Sequence, residues 1–190
     1  MRQHPRIKIG LPTVVFIIAL LILDKSLLSI LTLAAALCHE LGHIAVMLVS
    51  GMEVSEIEIT VFGAEIRTPC ANRTAFVNIA VFAAGALANI LCAMAIFFIP
   101  APSIEAVFFA NASISLAIVN LLPIRTLDGG CILETLLIGI SPKHTPMIVD
   151  IVSCVTLGIL WLTAVYILLI CGGNLSLMLF CMYLFVTLLF

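Results

Sequence analysis

Charge is what this 190-residue chain has least of: Asp, Glu, Lys and Arg together make up 9%, against about 25% in an ordinary globular domain. Eight Lys and Arg against ten Asp and Glu give a formal net charge of -2. That balance offers no basic surface for nucleic acid. Of the seven cysteines (Cys38, Cys70, Cys92, Cys131, Cys154, Cys171 and Cys181), none form C-x-x-C and most sit within apolar runs. Neither a cysteine-based metal ribbon nor a disulfide framework is suggested, and they read as small apolar packing residues. Apolar residues fill the chain instead, at 64% with a mean hydropathy of +1.34. The expectation is one integral-membrane domain over residues 1–190, with no room for a separate soluble one.

Six apolar runs are candidate spans: residues 10–23, 26–50, 75–99, 104–122, 147–170 and 174–190. The outer two are short but near the spanning minimum of about 17 residues. The start, Met1-Arg2-Gln3-His4-Pro5-Arg6, superficially resembles a signal peptide. No small-residue cleavage site follows, and Asp24-Lys25 leads straight into a second apolar run, so the first span is read as retained. With both termini cytoplasmic, Arg2, Arg6, Lys8, Arg67, Arg73 and Lys143 fall inside and only Lys25 outside.

In the second run stands His39-Glu40-Leu41-Gly42-His43. Histidines four apart on a helix lie one turn above each other, so both imidazoles reach one metal ion. The acid beside them is left free as general base for a metal-bound water, the H-E-x-x-H zinc-hydrolase arrangement. Random placement of four His and seven Glu would give this pattern with a probability of roughly 0.3%. A polar interhelical patch is the bland alternative, but ionisable residues at lipid depth are functional by default.

Residues 53–61 alternate apolar and polar, Phe62-Gly63-Ala64 can turn, and residues 65–68 can return, which predicts a β-hairpin over about 52–68. Its open edge could take a substrate backbone as an added strand; a solvated acidic connector is the alternative. In the third span, Gly85-Ala86-Leu87-Ala88-Asn89 reads as a close-packing motif. The fourth should break after Asn120, where Pro123 removes a donor and Gly129-Gly130 loosens the chain. Asp128, inside that break, is the natural third ligand, since catalytic zinc takes three protein ligands and a water; capping the next helix is its rival role. On this topology His39, His43 and Asp128 share the cytoplasmic half of the bilayer. Glu134 is a weaker ligand candidate.

Together, HELGH, the segment from Gly85 to Asn89, and Asn120-Leu121-Leu122-Pro123-Ile124-Arg125-Thr126-Leu127-Asp128-Gly129-Gly130 resemble the site-2 protease family of intramembrane zinc metalloproteases. The small layout is similar to the stage IV sporulation protein FB subgroup. The resemblance implies an all-α polytopic membrane protein with six transmembrane helices, a short β-hairpin after the second and a broken fourth helix. It also implies one zinc on His39, His43 and Asp128, with Glu40 as base and Asn89 and Asn120 lining the site or holding substrate. The substrate would be a membrane-embedded protein, for this subgroup a membrane-tethered transcription factor precursor in regulated intramembrane proteolysis, and inhibitory or oligomeric membrane partners are open. The chain departs from the family at Ala86, where a proline is usual, and at Arg125-Thr126, which replaces part of a proline-rich stretch. Arg125 is expected to pair with Glu134 or to gate the cavity. No CBS or PDZ module is expected. The competing readings are a membrane metal-ion transporter, which one broken segment without a repeat disfavours, and a catalytically silent homologue that binds a membrane partner.

Overall fold

The apolar stretch after Ser26 contains one glycine and no proline, and it forms a single 23-residue helix, α1 (Leu27–Val49). The helix stops where Gly51 adopts a φ of +66°. There the Met52 N–H donates to the Met47 carbonyl (2.9 Å) and the Gly51 N–H to the Leu48 carbonyl (3.1 Å). This paired closure satisfies the last carbonyls, and glycine adopts the left-handed φ without strain.

A computed structural model describes residues 6–10, 26–52, 56–60, 63–67, 74–171 and 175–189. The expected first span, 10–23, falls almost wholly outside the described residues. Three strands, β1 (Arg6–Ile9), β2 (Glu56–Thr60) and β3 (Gly63–Arg67), form one sheet in the order β1-β2-β3. β2 runs antiparallel to β3, and β1 lies parallel to β2 with Arg6 opposite Glu56 and Lys8 opposite Glu58. Gly63 and Ala64, read from sequence as turn residues, instead pair with Thr60 and Ile59. Only residues 61–62 are left to connect the strands, and two residues suffice for an antiparallel pair. The sequence reading did not anticipate β1.

The remaining helices are α2 (Ala75–Phe97), α3 (Ile104–Asn120), α4 (Asp128–Ile138), α5 (Thr145–Cys171) and α6 (Leu175–Leu189). α1, α2 and α5 are long and apolar enough to cross a membrane, whereas α3 and α6 are shorter, at 17 and 15 residues. Their outward faces carry exposed large hydrophobics, among them Leu37, Leu41, Leu48, Leu91, Leu162 and Leu169. Water would penalise such a surface and lipid does not. The chain is an integral membrane protein.

Two compact units divide the chain, Met1–Ile118 and Val119–Phe190. In the first, α1 buries Ala35, His39, His43 and Met47, one residue per four along a single stripe. α2 answers with Val81, Ala84, Gly85, Ala86, Asn89 and Ala93. Small residues let the backbones approach: a β-carbon at Gly42 would lie 2.6 Å from the Ala84 carbonyl oxygen. In the second unit, residues 121–127 interrupt the helix as expected. Ile124, fully buried, anchors this loop in a core with Leu157 and Leu184.

Candidate metal centre

Four-residue spacing on α1 sets the imidazoles of His39 and His43 one above the other, with ring centroids 4.7 Å apart. Both rings are buried. Their Nε2 atoms are 3.1 Å apart, and His43 Nδ1 lies 2.7 Å from the Val81 carbonyl on α2. A carbonyl only accepts, so His43 carries its hydrogen on Nδ1 and presents an Nε2 lone pair. Asn89, fully buried, brings its side-chain amide to 3.5 Å from His39 Nδ1, while its Oδ1 has no partner among the described residues. Amide oxygen and nitrogen exchange places on a half-turn. As placed, the amide nitrogen faces His39 Nδ1 and the two Nε2 atoms share one hydrogen; a half-turn of the amide would let its oxygen accept the His39 Nδ1 hydrogen and would leave two Nε2 lone pairs facing each other. Two lone pairs at that distance repel unless a proton or a cation lies between them. Tetrahedral zinc at about 2.0–2.1 Å from each nitrogen would set them about 3.3 Å apart. The histidine pair fits a metal.

Gly85 makes the room. A β-carbon there would meet His43 Nε2 and would stand 2.7 Å from His39 Nε2 and from His43 Cε1. Sequence reasoning identified this glycine only as a packing residue. Its service to the imidazoles depends on which face of α2 meets α1. Glu40 follows His39 on α1 and is half-buried.

The second unit carries Asp128, Asn120 and Glu134, all half-buried. Asp128 is the first residue of α4, and Leu127 (φ -109°, ψ 162°) holds the cap position without a side-chain bond. Asp128 thus stands one position past the cap, where the positive end of the helix favours a carboxylate. Gly129 and Gly130 lie directly under the loop: β-carbons on them would collide with the carbonyls of Leu121 and Ile124. Burial pushes the Cys131 thiol up to about 11, with the negative charges of Asp128 and Glu134 adding to it. Arg125 does not pair with Glu134. Its guanidinium donates to Asp150 Oδ1 on α5 at 2.7 Å, a partner 25 residues away in sequence.

Residues 101–163, about a third of the chain, match the model of Peptidase family M50. The matched stretch includes Asp128 and Asn120 and excludes the α1 histidines. Among solved structures, the chain is similar to the site-2 protease from Methanocaldococcus jannaschii, with a TM-score of 0.62 and 20% sequence identity over 96% of this chain and 88% of that one. That likeness gives the fold. No curated protein matches the chain.

Proposed function

We propose that this protein is an intramembrane zinc metalloprotease that hydrolyses a peptide bond in or near a transmembrane segment of a membrane protein. His39, His43 and Asp128 would supply the donor set for the metal, two imidazoles and one carboxylate. Three protein ligands with a fourth position open is the composition of a catalytic zinc site rather than a structural one. The observation that carries the reading is the buried pair of Nε2 atoms 3.1 Å apart, with the Val81 carbonyl fixing the tautomer of one ring. The Peptidase family M50 match and the site-2 protease fold support the same reading.

When bound, zinc supplies a Lewis acid that lowers the pKa of water from about 15.7 toward 7. Glu40 takes the proton of the attacking water and returns it to the departing amine. Asn89 holds His39, and Asn120 hydrogen-bonds substrate near the scissile carbonyl. A helical substrate has its carbonyls committed to its own hydrogen bonds, so it must unwind locally before attack. Among the described residues β3 pairs only with β2, so its other edge offers replacement backbone bonds to the unwound segment. The cytoplasmic half of the bilayer, with both termini cytoplasmic, is the proposed position of the site. A membrane-tethered transcription factor precursor is the proposed substrate class, following the likeness to the sporulation protein FB subgroup.

Reconstitution with single-span candidate substrates, comparing wild type with Glu40→Gln, tests the proposal. Cleavage by the wild type alone, with zinc retained by both, supports it. Equal cleavage by Glu40→Gln overturns it.

A further inference from the structure

The loop that delivers Asp128 has an attachment of its own. Residues 121–127 contain one proline, Pro123, and lead into two consecutive glycines, so the local sequence alone does little to fix where Asp128 points. The backbone is closed on itself by short turns, with the Ile124 N–H on the Leu122 carbonyl (2.7 Å) and the Leu127 N–H on the Ile124 carbonyl (2.8 Å). At Arg125 it is tied to another helix. The Arg125 N–H donates to Ser153 Oγ at 2.9 Å, and Ser153, fully buried on α5, passes its own hydrogen to the Val149 carbonyl at 2.7 Å. One turn earlier on the same helix, Asp150 takes the Arg125 guanidinium at 2.7 Å. The Arg125 carbonyl in turn lies 3.9 Å from the Cys131 thiol on α4. Backbone donor, backbone acceptor and side chain of this one residue are all engaged, three positions before Asp128.

We infer that Asp150 and Ser153 are positioning residues for Asp128. They act through Arg125, as a two-point clamp from α5 that sets the direction in which the Asp128 carboxylate is presented to the metal. This rests on the reading of Asp128 as a metal ligand. The two contacts have different jobs. Ser153 needs a backbone N–H at position 125, which a proline there would lack, and it fixes the height of the loop on α5. The ion pair, with both side chains about half exposed (44% and 50%), fixes the rotation of the residue and is the more replaceable of the two. A clamp of this kind contributes no ligand; it narrows the range of positions the ligand can take, which is how the groups behind metal ligands raise affinity.

Zinc affinity of the full-length protein in detergent, measured by competition with a chromophoric chelator, reads this directly, alongside the visible spectrum of the cobalt-loaded protein. Ser153→Ala and Asp150→Asn should each weaken zinc binding by about 10-fold or more and should broaden the cobalt spectrum. Ser153→Thr, which keeps a hydroxyl, and the exchange Arg125→Asp with Asp150→Arg, which keeps the ion pair, should restore much of the affinity. Unchanged affinity in Ser153→Ala and Asp150→Asn overturns the clamp. So does loss with no recovery in either conservative variant, because that pattern describes general damage to α5. Asp128→Asn separates the two layers of the argument. Loss of zinc there with none in the clamp variants refutes the clamp alone, whereas unchanged zinc in Asp128→Asn refutes the ligand assignment and the clamp with it.

Discussion

Replacing Gly85 by alanine adds one methyl group at the most confined point of the centre. In a helix interior the change from glycine should gain about 0.8–1 kcal/mol of intrinsic helix stability. Against that, the added carbon would stand 2.7 Å from His39 Nε2, where ordinary contact begins at 3.4 Å, so that ring must retreat by about 0.7 Å (3.4 − 2.7). His43 is contacted more closely still and is held from behind by the Val81 carbonyl. Metal–ligand distances tolerate about 0.2 Å, so the retreat removes at least one imidazole from the coordination sphere. Four-ligand zinc sites reach about 10–16 kcal/mol, or about 2.5–4 kcal/mol per ligand. Loss of one therefore weakens zinc by about 60- to 700-fold. Overpacking typically costs about 1–3 kcal/mol, partly offset by the helix gain, so the fold should survive. Chelator competition on purified protein measures the effect. Gly158→Ala is the control, since its β-carbon would have nothing within 4 Å. Zinc binding by Gly85→Ala at wild-type strength would refute the placement of the metal between the two Nε2 atoms.

Other perturbations reach the remaining parts of the account. Glu40→Gln should lower cleavage by about 100-fold or more with zinc content unchanged, as removal of a general base does; loss of zinc in that variant would assign Glu40 to the ligand set instead. Gly129→Ala should destabilise the second unit by about 1–3 kcal/mol, because its methyl would run into the Leu121 carbonyl; thermal unfolding that matches wild type would contradict the packing described. Pairing of β1 with β2 places Arg6–Ile9 and Glu56–Thr60 on one side of the membrane, so impermeant reagents should label single cysteines at positions 8 and 58 from the same face. Cys131 should resist alkylation: with its pKa raised from 9.0 to about 11, it stays protonated where a free thiol ionises. Folded-state stability from this group is complete below pH 9 and is lost as pH rises through about 11. Rapid alkylation at pH 9, in a variant keeping Cys131 alone, would show the thiol to be unburied.

The parts of the site visible in sequence are those fixed by one element. His39 and His43 are legible because helix geometry converts a spacing of four into a shared face, whatever the helix packs against. The interruption after Asn120 is legible because Pro123 and the glycine pair act locally. What escaped sequence reasoning depends on pairing between elements. Gly85 is one more small residue until α1 is laid against it. Asn89, expected from the family resemblance to line the site or hold substrate, has its amide beside His39 Nδ1, a contact 50 residues apart in the chain. Arg125 was expected to pair with Glu134 or to gate the cavity, and it takes Asp150 on α5. The placement of the turn at Gly63-Ala64 rested on glycine as a turn former, and the ladder places both residues in β3.

X-ray absorption at the zinc edge of the purified, active protein tests the central claim most directly. The account predicts a shell of nitrogen and oxygen at about 2.0–2.1 Å, with the outer scattering of two imidazoles and no sulfur. A shell at about 2.3 Å from cysteine sulfur, or a zinc carrying fewer than two imidazoles, would contradict it.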